Sequence, residues 1–237
     1  MSASLVITID GPAGTGKSSV AHLLAQRLGM DFLDTGAMYR AAALLALEQG
    51  LSPDGGPALA AAVQRTPPTF DWSGSPPRLL LGARDVSDRI RETDVTSIVS
   101  RVAACPEVRR QMVTWQRAAA AAHPRLVTEG RDQGSVVFPD APLRIYLDAA
   151  PQVRARRRAE QLRLSGRDAS EVEILEGILE RDRIDSQRSE GPLRVPDGAD
   201  RIDTSALDLE GVVEALERLA RARLGERLPL PAACRSC

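Results

Sequence analysis

The sequence predicts an α/β fold, a parallel-sheet core with helices on both faces, and three observations predict it. An apolar run, Leu5-Val6-Ile7-Thr8-Ile9-Asp10, reads as a short buried strand that enters the glycine-rich Gly11-Pro12-Ala13-Gly14-Thr15-Gly16. Ser18 to Leu28 then reads as a helix with Val20, Leu23, Leu24 and Leu28 on one face, so strand, loop and helix open a βαβ unit. Short apolar strands keep alternating with helical stretches over 237 residues, a length that suits one sizeable domain carrying inserts.

The elements follow in order. Phe32-Leu33-Asp34 reads as an edge strand, and Ala37 to Gln49 as a helix closed by Gly50. From Leu51 to about Gly82 the chain changes character, with proline, glycine and short apolar runs. There, Thr69 to Trp72 and Arg78 to Leu81 read as small strands around a turn from Ser73 to Pro77. This insert continues into helices over Thr93 to Ala104 and Glu107 to Ala122, and Pro124 ends the helical pattern. Leu126-Val127-Thr128 resumes as a strand, and Leu143-Arg144-Ile145-Tyr146-Leu147 is the next central one, ending in Asp148. From Gln152 the chain is helical and dense in arginine, and the following helix runs from about Ser170 to Gln187. Asp200-Arg201-Ile202-Asp203 is the last strand; Thr204 and Ser205 turn or cap ahead of a helix from Leu209 to Leu224. The expected division is a core of residues 1–50 and 123–228, an insert with connecting helices over 51–122, and a flexible tail over 229–237. No fixed-period repeat is present.

Composition excludes several classes of function. The 31 Lys+Arg and 32 Asp+Glu leave a net charge of -1, which argues against bulk electrostatic binding to nucleic acid. No apolar run approaches the roughly 18–20 residues needed to span a bilayer, and the N-terminus shows no basic n-region of a signal peptide. Three cysteines cannot build a disulfide framework, and two histidines, His22 and His123, argue against a four-ligand zinc site. The expectation is a soluble cytoplasmic monomer that binds neither nucleic acid nor membrane. His22 reads as a helix-surface residue without chemistry. Cys234-Arg235-Ser236-Cys237 has redox spacing but reads as tail.

Of the 31 basic residues, 30 are Arg and one is Lys17. An ammonium is a compact point charge that fits between phosphates where a planar guanidinium would collide. Lys17 stands in Gly11-Pro12-Ala13-Gly14-Thr15-Gly16-Lys17-Ser18, a full G-x-x-x-x-G-K-[ST] phosphate loop. Its glycines let backbone N–H groups turn toward phosphate oxygens, and the helix N-terminus adds partial positive charge. Lys17 reaches the β- and γ-phosphates, the Ser18 hydroxyl can ligate Mg²⁺, and Ser19 completes the expected nucleotide-binding run from Gly11.

A phosphate loop alone does not choose among a switch GTPase, a motor ATPase and a small-molecule kinase. No second lysine exists to supply an N-K-x-D guanine motif, and the strand ending in Asp148 continues as Ala149-Ala150 instead of an acidic pair. Arginine beyond the first site is plentiful, and a transfer between two phosphorylated molecules needs fixed cations to hold both in line. Arg181, Asp185 and Arg188 share one helix face at i, i+4 and i+7, a spacing that solvated ion pairs also adopt. A basic surface or a nucleic-acid patch is the bland reading of Arg154, Arg156, Arg157 and Arg158, and the near-neutral charge and scarce aromatics do not support a binding stripe.

Asp34-Thr35-Gly36-Ala37-Met38-Tyr39-Arg40, Glu129-Gly130-Arg131-Asp132-Gln133-Gly134, Val137-Phe138-Pro139-Asp140-Ala141 and Arg181-Asp182-Arg183-Ile184-Asp185-Ser186-Gln187-Arg188 resemble bacterial cytidylate kinases, in register from Val6 to about Leu219. The resemblance implies a CMP/dCMP kinase using ATP and Mg²⁺, in which 51–122 is a CMP-binding insert and about 153–170 a short arginine-rich lid. It puts Ser100, Arg109 and Asp132 at cytosine, and Arg181 and Asp185 at the sugar. Arg40, Arg131 and Arg188 would hold the acceptor phosphate, with Tyr39 packing beside it. Arg157 and Arg158 would sit in the lid near the ATP phosphates. Thr35 stands where many relatives carry serine and keeps the hydroxyl, and Ser18-Ser19 replaces a Gly-Thr. The alternatives left open are a kinase for UMP or another monophosphate and a nucleotide-dependent switch.

Overall fold

β1 (Leu5–Asp10) is buried along its whole length, as a strand flanked on both edges and covered on both faces must be. The computed structural model describes residues 4–164 and 166–229. β1 pairs in parallel with β6 (Arg125–Gly130) on one side and β7 (Leu143–Asp148) on the other. β2 (Asp31–Asp34) lies beyond β6 and β8 (Asp200–Asp203) beyond β7, giving the order β2-β6-β1-β7-β8, all parallel. β2 is therefore the edge strand expected from Phe32–Asp34. The register sets Asp10 level with Gly130 and Tyr146, so the loops leaving β1, β6 and β7 share one rim, the rim where open parallel sheets bind ligands.

Strand alternation decides what each face carries. Leu5, Ile7 and Ile9 pack with Leu143, Ile145 and Leu147 against Val20 and Leu24 of α1 (Lys17–Leu28) and Val213 and Leu216 of α8 (Leu209–Leu224). Val6, Leu33 and Leu126 meet Ala120 of α5 (Pro106–Ala122) on the other face. On that face Thr8 and Asp10 are fully buried polar positions.

The segment between β2 and β6 builds an apolar cluster of its own, residues 37–112, separate from those on the two faces of the large sheet. α2 (Thr35–Glu48) buries Met38, Leu44 and Leu45 with Leu59 and Val63 of α3 (Gly56–Arg65), Val95 and Val102 of α4 (Thr93–Ala104), and Val108 and Met112 of α5. A small antiparallel sheet, β3 (Pro68–Asp71), β4 (Arg78–Leu81) and β5 (Arg84–Asp85), adds Leu79 and Leu81. Helix α3 and strand β5 were not legible in the sequence. Gly55, Gly56 and Pro57 dominate the pattern there, yet Leu59, Ala60, Ala62 and Val63 bury one face of a ten-residue helix that Pro57 starts. The turn after β3 is tied to the core: Trp72 stacks on His123 at 3.7 Å. His123 Nδ1 lies 3.0 Å from Asp31, and His22 Nε2 lies 3.1 Å from Ser75.

α2 begins two residues earlier than the apolar pattern indicated, because the Asp34 carboxylate accepts the Ala37 N–H and caps it. α6 (Pro151–Leu164) and α7 (Glu171–Gln187) pack against each other beside the rim. No helix among the described residues is long and apolar enough to cross a membrane. Residues 230–237, with Cys234 and Cys237, lie outside the described residues.

Candidate functional site

The phosphate loop takes its shape from backbone that side chains would forbid. Gly11 has φ 151°, and a Cβ there would run into the Leu147 carbonyl oxygen. Gly16 is left-handed (φ 83°) at the N-cap of α1 and supplies no capping side chain, so the first N–H groups of that helix keep their donors for a ligand. Lys17 is buried; its Nζ donates to the Pro12 carbonyl at 2.7 Å and to Thr15 Oγ1 at 3.3 Å. Burial, and next the charge of Arg131, push its amine down to about 7. Without an anion the ammonium is poorly compensated, and a phosphate would restore its charge.

Two further pairs of side chains hold this loop. Ala13 is gripped from both sides: its N–H donates to Asp182 of α7 at 3.0 Å, and its carbonyl accepts from Arg154 of α6 at 2.8 Å. Arg154 and Asp182 also pair with each other at 2.6 Å. The Ser18 hydroxyl donates to Glu129 Oε1 at 2.8 Å. Burial, and next the charge of Asp34, push the Glu129 carboxyl up. Asp34 is held below the usual carboxylate range although burial opposes it, because Arg40 donates to both its oxygens at 3.1 and 2.8 Å. Ser18, Glu129 and Asp34 thus gather hard oxygen donors at the loop, the donor chemistry Mg²⁺ takes when phosphates and waters complete its shell. A cleft of about 620 Å³ opens beside Arg154, lined by Asp148, Ala149, Pro151, Arg201, Asp203 and Ser205.

Across the rim lies a second cluster, built from α2, α5, the turn after β6 and the end of α7. Arg109 and Asp132 form an ion pair with both side chains about 2–3% exposed, and Arg109 also donates to the Ala103 carbonyl at 3.2 Å. The Arg109 guanidinium lies over the Tyr39 ring, 5.7 Å from its centroid; burial pushes that phenol up to about 12 and keeps it neutral. Arg188 sits 3.7 Å from Asp132 and 3.9 Å from Asp185, and its Nε donates to the Gly191 carbonyl at 2.5 Å. Its Nη2 is buried without a hydrogen-bond partner. Arg131 Nε donates to Asp185 at 2.9 Å. Arg181, half-buried, keeps its Nε enclosed and unpartnered, and burial, then the neighbouring Arg131, lower it to about 10. Guanidiniums held this way are short of negative charge, which an anionic ligand supplies.

The structure thus brings Tyr39, Arg109, Arg131, Asp132, Arg181, Asp185 and Arg188 into one region. Ser100 is buried on α4, which packs on α7. The Thr35 hydroxyl is engaged, donating to the Glu129 carbonyl at 2.7 Å. Arg158 is exposed and has Arg167, Arg40 and Arg91 as charged neighbours. Arg157 points elsewhere: its guanidinium donates to the carbonyls of Thr204 and Leu207, at 2.6 and 2.8 Å, in the loop after β8. Residues that sequence reasoning gave no role are Asp10, Gln116, Glu129, Arg154, Asp182 and Gly191. Two of them carried a signal, Asp10 as a carboxylate closing an otherwise apolar strand and Asp182 as the unused acid of the arginine-rich segment.

A parallel sheet whose central strand enters a phosphate loop, faced by a second, cationic cluster on the same rim, defines a P-loop kinase of small molecules. Comparison with known proteins narrows the class. A family model described as cytidylate kinase matches residues 7–222. A cytidylate kinase of Corynebacterium efficiens is 45% identical over 218 residues, 92% of this chain and 95% of the relative. One from Mycobacterium avium is 43% identical over 223 residues, 94% and 98% of the two chains. The chain belongs to the cytidylate kinase family and is a nucleoside monophosphate kinase, a phosphotransferase. A solved structure of an uncharacterized protein from Eubacterium ventriosum superposes with TM-score 0.50 at 13% identity, covering 93% of this chain and 99% of the other, a likeness of fold alone.

Proposed function

We propose that the chain transfers the γ-phosphoryl group of ATP to CMP or dCMP, giving ADP and the diphosphate. The observation that carries the reading is Arg181, half-buried with an enclosed, unpartnered Nε beside Arg131, on the rim that also holds Lys17. Two cationic seats on one rim suit two anionic substrates that must meet in line. Lys17 and the N–H groups of Gly16 to Ser19 bind the donor phosphates, and the cleft beside Arg154 receives the donor nucleoside. Mg²⁺, with Ser18 and the carboxylates of Glu129 and Asp34 holding it directly or through water, would neutralise phosphate charge. Arg40, Arg131 and Arg188 seat the acceptor phosphate, with Arg181 and Asp185 at the sugar. A nucleotide phosphate oxygen is already ionised at neutral pH, so no general base is required, and the chain's work is positioning and charge stabilisation. Closure of residues 153–170, bringing Arg158 inward, would exclude water as a competing acceptor.

Asp132 reads the base. Ionised, it accepts only, so it favours the N4 amine of cytosine and disfavours the O4 carbonyl of uracil. Arg109 pairs with one oxygen of this carboxylate, and the other lies 3.7 Å from Arg188. A coupled assay for ADP release with CMP, dCMP, UMP or no acceptor tests the reading. Release with CMP or dCMP well above the other two is expected. Equal release with UMP would overturn the base assignment, and release independent of any acceptor would overturn the kinase reading.

A further inference from the structure

Asp10 is fully buried at the end of the central strand, next to the first glycine of the phosphate loop. Nothing in the mechanism above uses it. Its two carboxylate oxygens accept the N–H groups of Gln133 and Gly134, each at 2.7 Å. Those are the two peptides that follow Asp132. Gly134 has no room for a side chain, since a Cβ there would come within 2.8 Å of Thr8 Oγ1. The Gln133 side chain is fixed too, accepting from Thr128 Oγ1 at 3.0 Å and donating to Gln116 Oε1 at 3.1 Å.

We propose that Asp10 is a positioning residue for base selection, its carboxylate clamping the peptides behind Asp132 so that the Asp132 side chain meets the acceptor base in one orientation. The proposal rests on the reading of Asp132 as the base-reading group. Two N–H bonds to one side chain fix two successive peptide planes, which a water or a single hydroxyl could not do, and they become charge-assisted as the buried carboxyl ionises at about pH 7. The neighbouring charge of Lys17 suggests a competing role, counter-ion of the donor site. Geometry favours the clamp: the Lys17 ammonium bonds Pro12 and Thr15, and both bonds to Asp10 come from the turn after β6. The same carboxylate therefore fixes the turn at one end and begins the phosphate loop at the other.

Asp10→Asn keeps the volume but turns an amide N–H₂ toward one of the two N–H donors. kcat/KM for CMP should fall at least tenfold and the CMP-to-UMP ratio of kcat/KM should narrow by a similar factor, while KM for ATP stays within twofold. If KM for ATP rises as much as that for CMP, Asp10 serves Lys17 and the proposal fails. It fails equally if the rates with both acceptors fall together at constant ratio, as simple loosening of the fold would give. Adding Asp10→Asn to Asp132→Asn should move the ratio less than twofold, because the clamp acts through Asp132; additive effects would overturn it. If Asp132→Asn alone leaves the ratio unchanged, it is the base reading that fails. Should Asp10→Asn not fold, Gln116→Met removes another hold on the same turn through Gln133. It must narrow the ratio without touching KM for ATP, and an unchanged ratio there sinks the clamp.

Discussion

Gly191 sits on the Arg109–Asp132 pair, and one methyl group there tests whether that pair is held as tightly as its burial implies. Gly191 has φ 56°, in the left-handed region, and a Cβ on it would fall deep inside van der Waals contact with both Arg109 Nη2 and Asp132 Oδ2. The ends of long side chains usually swing away at little cost. These two are about 2–3% exposed and ion-paired, with the Tyr39 ring under the guanidinium, so they have nowhere to go. Alanine in left-handed backbone costs about 1 kcal/mol relative to glycine. Forcing a methyl into packed surroundings adds about 1–3 kcal/mol, less than the 3–5 kcal/mol of stranding one partner of a buried pair altogether. Gly50 supplies the control, with φ 62° and nothing within 4 Å of its Cβ position. Urea denaturation should therefore show Gly50→Ala losing about 1 kcal/mol and Gly191→Ala losing about 2–4 kcal/mol. Steady-state kinetics should show kcat/KM for CMP reduced about tenfold or more in Gly191→Ala alone, with KM for ATP unchanged. Equal losses of stability in the two variants, with equal kcat/KM for CMP, would show that the pair has slack and that its geometry does not set acceptor binding.

Three other outcomes are expected. Amine-directed labelling should modify Lys17 and the N-terminus, with Lys17 reactivity rising around pH 7; Mg·ATP should protect Lys17 only, and equal labelling with and without it would refute the assignment. Asp185→Ala strands the Arg131 guanidinium, now bonded at 2.9 Å, and should cut kcat/KM for the acceptor roughly 10–150-fold with little change in KM for ATP; an equal effect on ATP would make this helix face structural. Burial raises the Asp10 carboxyl from 3.8 to about 7. Between those values the folded chain holds a proton that the unfolded chain has released, so the group's contribution is full below 3.8 and is lost as pH rises through 7. Asparagine has no such titration, and the stability gap between wild type and Asp10→Asn should narrow from pH 5 to pH 8 in urea melts; a constant gap would mean that Asp10 titrates normally.

Gly11 to Ser18 is legible in the sequence because every group that shapes a phosphate loop lies within eight consecutive residues, and the apolar strand before it and the amphipathic helix after it are local patterns. Strand order was less accessible. β1 lies between β6 and β7 because those two apolar strands can be buried on both faces, whereas Asp31–Asp34 and Asp200–Asp203 carry charges that tolerate an edge. Helix α3 was hidden behind Gly55, Gly56 and Pro57, since its stability comes from the apolar face it buries against α2 and α5 and not from its intrinsic propensity.

The arginines mark the division most clearly. The sequence by itself determined that a chain with one lysine kept it in the phosphate loop, and that arginine was abundant enough for a second anionic substrate. Only the tertiary structure decided which guanidinium meets which carboxylate. Arg109 finds Asp132 from another element, Arg131 finds Asp185 across 54 positions, and Arg157 turns away to the carbonyls of Thr204 and Leu207. Neighbours in sequence such as Arg131 and Asp132 thus take different partners. A charge chooses its partner by distance and by the loss of water around it, and both are fixed when the helices pack on the sheet, not by spacing along the chain.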